Sequence, residues 1–372
     1  MERSLFTNSG FPLSRESNEG EALRLGIYRL RPVPEVVRHI VEGDLPALQA
    51  AVAASSEALA PVRTTDGTTL SLLQVAVILN QPEVCRWLRE QDISGTDGVA
   101  LLQLAARYAG REVIELFRDQ VGTLSAEQKK ALYSAVGYEG RFENIAVLED
   151  IGIPVRDFAG NLFRVLAWTD NREALAELLA RGVDVNYHEP DMVEPYAPTA
   201  VLSATRHGQS EVVRFLVEHG ADVTIADRTG ERPYTAALKT KDLKLAEYLR
   251  SLEPEEWHNQ AEKERELKPF TLPQELVDLV SSEDRRLSFP EEETVTWIEF
   301  LDFLNLRPLT IRRKKYLLLC DSFEHYDDMY QVLWHGKTRQ LFIWDTEHHE
   351  LHELGTWEDF WSDPGKAVNS IF

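Results

Sequence analysis

Three imidazoles and a carboxylate stand close together at His348-His349-Glu350-Leu351-His352, a stretch whose residue types could hold a metal ion. His348 and His352 are four apart, which on a helix would set both rings on one face. The stretch instead follows a strand pattern and lacks the His-Glu-x-x-His spacing, and no cysteine lies at a diagnostic interval. The spacing therefore predicts a solvated strand end and no metal. Asp327-Asp328 offer paired carboxylates, but such a pair does acid–base work only where a pocket raises one pKa, and their neighbours are not apolar enough to make one. No Gly-x-Ser-x-Gly, Walker loop or dinucleotide fingerprint occurs. The residues point away from an enzyme and away from any cofactor.

The strongest pattern in the chain is a repeat between Ala197 and Leu249. Pro198-Thr199 opens a short apolar helix through Ala200, Val201 and Ala204, and Gly208 breaks it. A second helix, Glu211 to Val217, ends at Gly220-Ala221-Asp222-Val223, and Asp227-Arg228-Thr229-Gly230 makes a turn. The next copy sets Arg232 33 residues after Thr199, with Ala237, Leu245-Ala246 and Leu249 in matching places. Each unit is two short helices with one apolar stripe apiece, too little to close a core alone, so units must stack. Thr199 caps an N-terminus, and Gly208 takes the left-handed conformation that stops a helix. Pro198 to Ala204 and Gly208 to Val223 resemble the ankyrin family.

Upstream the register persists. Asn161 to Asn186 is a full unit in which Asp170 replaces the breaking glycine, as an aspartate can. Tyr187 to Tyr196 lengthens the next hairpin tip into an extended loop. Earlier units run through Ala131–Leu148 with Gly140, Leu101–Phe117 after Asp97-Gly98 and with Ala109-Gly110 at the break, Leu72–Leu88 with Asn80, and Val36–Leu48 with Gly43. About seven units result, over residues 31–252, after an N-terminal leader at 1–30.

In ankyrin proteins the contact positions are mainly the two residues before the helix-breaking glycine, together with the hairpin tips. That resemblance implies partner contacts at Arg107 and Tyr108, Tyr138, Trp168, and Arg206 and His207, with Tyr196 and Arg228 at the tips. Tyr108, Tyr138 and Trp168 would be costly exposures unless something covers them.

Beyond Leu252 the pattern changes. Residues 253–268 are charged, without a useful apolar stripe, and read as a solvated helix or linker. Residues 269–372 read as a smaller α+β domain. Gln274 to Val280 forms its first helix. The strands Lys315–Cys320, Tyr330–Trp334 and Gln340–Trp344 follow, the last two joined by a hairpin with Gly336 in its turn, and Trp357 opens a last helix. The fold class expected is an α-solenoid followed by an α+β domain with an antiparallel sheet. Leu272 to Leu276, Ile343 to His348 and Trp357 to Phe360 resemble the SUKH superfamily, although its usual Asn-Gly-Gly has no counterpart and Asn305-Leu306 is the nearest candidate. That resemblance implies a bacterial immunity protein that neutralises a toxin by binding it.

Composition narrows the partner. The net charge of -22 disfavours nucleic acid, whose phosphates require Lys and Arg in excess. From Pro254 to Phe372 there are 25 acidic and 13 basic residues, so this third carries -12. A basic protein partner fits, with Asp327 and Asp328 among the acidic contacts, and a scaffold joining two cellular proteins is the alternative. No apolar run is long enough to cross a bilayer, and Met1 to Gly20 lacks an apolar signal core. Cys85 and Cys320 lie in apolar segments of different domains and read as reduced core thiols in a cytoplasmic protein. The sequence leaves the oligomeric state open.

Overall fold

The computed structural model describes residues 14–15, 21–91, 101–326 and 329–372. Its contacts separate into two compact units, residues 1–191 with 211–221, and residues 192–210 with 222–372. This division falls well before the boundary at residue 252 expected from the sequence. The physical reason is that the last repeat bonds to the strands that follow it, through Arg307 to the Thr229 carbonyl and Lys239 to the Asp321 carbonyl.

In the first unit, strands β1 (Ser14–Arg15), β2 (Glu21–Leu25) and β3 (Tyr28–Leu30) form an antiparallel sheet. Residues 21–30, expected within a leader, are therefore a packed hairpin. Leu23, Leu25 and Leu30 are wholly buried, each such side chain contributing about 1.5–3 kcal/mol. A second hairpin pairs β4 (Val62–Arg63) with β5 (Thr69–Leu70).

The first helices of five repeats are Glu35–Glu42, Leu72–Ile78, Leu101–Tyr108, Ala126–Tyr138 and Gly160–Trp168. Each packs on the next, which buries stripes that no single unit could bury alone. Their second helices are Leu45–Ala54, Pro82–Glu90, Arg111–Glu115, Asn144–Asp150 and Arg172–Ala180. Ser71 and Gln74 cap one first helix reciprocally, the Gln74 N–H donating to Ser71 Oγ at 3.2 Å and the Ser71 N–H to Gln74 Oε1 at 2.8 Å.

Asn80 and Asp170 end their helices in the left-handed region, each at φ 54°, where the sequence put non-glycine breakers. The third repeat departs from this. Neither Ala109 nor Gly110 is left-handed, and Gly110 is extended at φ -109°. The buried Asn144 side chain takes over, its Nδ2 donating to the carbonyls of Ala106 at 3.0 Å and Ala109 at 2.8 Å. Those carbonyls would otherwise be orphaned at the helix end. The loop after Tyr187 is also held. Tyr187 donates to Asn161 Oδ1 at 2.7 Å, and the buried Arg164 donates to the Glu189 carbonyl at 2.8 Å and to Asp191 at 2.6 Å.

The second unit contains helix Ala200–Arg206 and the last repeat, Pro233–Lys239 with Leu243–Arg250. Helices Gln260–Leu267 and Gln274–Ser281 follow, then strands β6 (Arg286–Ser288), β7 (Trp297–Phe300), β8 (Arg307–Ile311), β9 (Lys314–Phe323), β10 (Tyr330–His335), β11 (Gln340–Asp345) and β12 (Glu350–Thr356). The sheet is antiparallel in the order β12-β11-β10-β9-β7-β6, with β8 also paired to β9. Long β9 changes partner along its edge: Leu318 faces Arg307 of β8, and Cys320 faces Phe300 of β7. Leu276, Val280, Ile298, Leu319, Trp334 and Phe360 close the core between this sheet and its helices.

One expectation changes here. Residues 253–268 are not wholly solvated, because Glu253 is buried against Arg232, whose Nε donates to it at 2.8 Å, and Leu267 joins the sheet core. Gly336 lies in the hairpin turn as expected; the left-handed residue of that turn is Arg339, at φ 55°, while the absent Gly336 side chain makes room for the Phe270 backbone, which a Cβ would meet at 2.7 Å. The neighbouring Trp334 donates from its indole nitrogen to the Phe270 carbonyl at 2.8 Å.

Candidate functional site

In the first unit the sequence candidates meet around Arg107, in the last turn of helix Leu101–Tyr108. Its guanidinium lies 5.0 Å from the Tyr108 ring centre and 4.9 Å from that of Tyr138, and donates to Glu139 Oε1 at 3.2 and 3.0 Å. Such cation–π contacts contribute about 0.5–1 kcal/mol at exposed sites, enough to fix rotamers. Tyr138 is 63% exposed, a large aromatic held in place with its ring facing water. Trp168, at the end of helix Gly160–Trp168, is half-buried.

Tyr108 does not present itself to a partner. It is buried, with its hydroxyl 3.4 Å from the Ile27 N–H that donates to it. Burial pushes its phenol pKa upward, so the ring is an unionised wedge between the repeat and the β2–β3 hairpin.

In the second unit Arg206 is likewise turned inward. Its Nε donates to Glu231 at 2.7 Å and its Nη2 to Asp227 at 2.5 Å, and both carboxylates are almost wholly buried. Burial alone would lower the Arg206 pKa, yet the two carboxylates raise it above the usual arginine value. A desolvated, doubly paired guanidinium is a clamp, since freeing it would leave two buried charges uncompensated. His207 Nδ1 lies 2.9 Å from the Ser203 carbonyl. Arg228 is exposed at its tip, its backbone N–H donating to the Tyr196 carbonyl at 2.9 Å. Tyr196 is half-buried and donates to the Thr346 carbonyl at 3.3 Å. Asp327 and Asp328 lie outside the described residues.

The imidazole stretch spans the turn from β11 into β12. His348 Nδ1 lies 2.8 Å from Asp345 Oδ2, a contact that raises the His348 pKa, and His349 stacks on Trp344 with centres 5.9 Å apart. Among the described residues no three His, Cys, Asp or Glu side chains gather where they could hold a metal, and no helix is long and apolar enough to cross a membrane. Both cysteines are free and buried.

Sequence reasoning missed one constellation. Asp321, at 3% exposure, accepts from Arg307 Nη2 at 2.8 Å, while Lys239 Nζ donates to its carbonyl at 3.4 Å. Burial pushes the Asp321 pKa up, but Arg307 and Lys239 more than offset it and hold the carboxyl below its ordinary value. The only trace in the sequence is an aspartate at the end of the apolar run Tyr316–Cys320.

Residues 163–259 match the ankyrin repeats family, in three copies. Among solved structures, the ankyrin repeat domain of Bcl-3, described as a unique member of the IkappaB protein family, is similar at 22% identity over 59% of this chain and 99% of that one, with a TM-score of 0.43. None of the curated proteins matches. The chain thus carries ankyrin repeats, a fold that typically serves as a non-catalytic scaffold for binding other proteins, followed by a region rich in antiparallel strands.

Proposed function

We propose that the protein is a non-catalytic inhibitor that binds a basic protein partner, in the manner of a cytoplasmic immunity protein neutralising a bacterial toxin. The observation that carries this reading is Tyr138, 63% exposed at a position where ankyrin repeats touch their partners and steadied there by Arg107. Rigid aromatic residues beside an arginine are the side chains that dominate binding energy at protein interfaces. The net charge of -22 supports a basic partner, whose encounter it would accelerate in a salt-dependent way. The resemblance of Leu272 to Leu276 and Trp357 to Phe360 to the SUKH superfamily supports the toxin as the partner's class.

The deciding experiment is co-expression with the product of the adjacent reading frame. An immunity protein restores growth and is recovered in complex with that product. Unchanged toxicity, or a neighbour without toxin features, would reject the reading. The second reading is an adaptor, favoured by the division into two compact units. Tyr138→Ala separates the two: an adaptor loses one of two partners and keeps the other, whereas an inhibitor loses affinity for a single target.

A further inference from the structure

Within the second unit a half-open cavity of about 330 Å³ lies between the last repeat and the β6–β7 edge of the sheet. It is large enough for a small organic molecule. Leu238 and Trp297 supply apolar wall. Five basic and four acidic side chains line it, and the way they are paired decides what it can hold.

Every acid there is already engaged. Asp321 accepts from Arg307 at 2.8 Å, Glu231 from Arg206 at 2.7 Å, and Glu299 from Arg286 at 2.8 Å. Asp302 accepts from the backbone N–H of Leu304 at 3.1 Å and from the Asn305 side chain at 2.6 Å. Two of the cations differ. Arg285 donates only to the carbonyls of Phe300 and Ser282, at 3.3 and 2.9 Å, and among the described residues it has no carboxylate. Lys241 is exposed, and it too has no ion-pair partner among the described residues. It is held at φ 61°, in the left-handed turn that ends helix Pro233–Lys239. Three of the four acids are paired with a cation and the fourth, Asp302, is hydrogen-bonded, so the lining, with five basic against four acidic side chains, keeps positive charge to spare in a chain whose net charge is strongly negative.

We infer that this cavity binds a small oxyanion, a carboxylate or a phosphate, with its charged head between Lys241 and Arg285 and any apolar body against Leu238 and Trp297. Charge-assisted hydrogen bonds from a guanidinium and an ammonium suit both oxyanions, and the apolar wall favours an organic one. The site is built from residues of the second unit, whereas Tyr138 belongs to the first, and it does not depend on the protein partner proposed above.

The test is a titration of the full chain with inorganic phosphate and, separately, with cyclohexanecarboxylate, against sodium chloride at matched ionic strength, read by tryptophan fluorescence. A saturable change that Trp297→Phe removes is expected. Lys241→Asn, which keeps a residue tolerant of the left-handed turn while deleting the charge, should weaken binding at least tenfold, and Arg285→Gln should do the same if it folds. Tighter binding of cyclohexanecarboxylate assigns an organic acid, and tighter binding of phosphate assigns a phosphoryl group; either supports the site. No saturable change beyond the chloride control, or undiminished binding to Lys241→Asn, would overturn it.

Discussion

Arg307 and Asp321 meet at 2.8 Å with their side chains 10% and 4% exposed, an ion pair made on adjacent strands and almost excluded from water. The Arg307 Nε reaches on to the Thr229 carbonyl at 2.9 Å, so one guanidinium holds the β8–β9 pair against the turn that opens the last repeat. Removing one partner of such a pair leaves a buried charge uncompensated and costs about 3–5 kcal/mol, so Arg307→Ala should lower stability by that much in urea denaturation.

The same pair sets a pH dependence. The Asp321 carboxyl is held below its ordinary value of 3.8, so the folded form binds its proton less readily than the unfolded chain does. Its contribution to stability is complete above the ordinary value and is lost as pH falls through the lower, folded value. Denaturation midpoints between neutral pH and pH about 3 should fall, and the fall should be shallower in Asp321→Asn, which has no such carboxyl to protonate.

Two tyrosines near Arg107 should behave oppositely. Tyr108 is buried beneath the N-terminal hairpin, and its truncation to alanine should cost about 3–5 kcal/mol. Tyr138 is exposed, so Tyr138→Ala should cost no more than the about 0.5–1 kcal/mol of its contact with Arg107 while weakening capture of the protein partner. Thermal melts paired with a binding assay on both variants distinguish a packing residue from a contact residue.

Asn144 is a cap supplied from the neighbouring helix. Asn144→Ala would strand the carbonyls of Ala106 and Ala109, at about 1–3 kcal/mol for each buried acceptor left unsatisfied. Amide exchange in helix Leu101–Tyr108 should quicken more than in helix Leu72–Ile78, which ends on its own left-handed Asn80.

Gly336→Ala tests a close approach. The added methyl would fall 2.7 Å from the Phe270 Cα, a backbone atom that cannot rotate away, and overpacking of this kind costs about 1–3 kcal/mol. The indole of Trp334, bonded to the Phe270 carbonyl, should report the shift as a change in fluorescence.

The sequence by itself determined the repeat. The spacing of Thr199 and Arg232 recurs because each unit's helices need a cap, a stripe and a left-handed stop at fixed offsets, and those requirements are local. Asn80 and Asp170 could be recognised as stops for the same reason, and so could the hairpin joining the strands expected at Tyr330–Trp334 and Gln340–Trp344. Tertiary structure alone decided which way the polar side chains turned. Arg107 and Arg206 occupy equivalent positions in their repeats, yet one stays beside an exposed ring and the other is drawn into two buried carboxylates. Which carboxylate a cation meets, and how deeply that carboxylate is buried, depends on partners brought near by folding, such as Glu139 for Arg107, Asp227 and Glu231 for Arg206, or Asp321 for Lys239, 82 residues away in the chain. Periodicity encodes the face a residue occupies; pairing and burial follow from what the rest of the chain sets against that face.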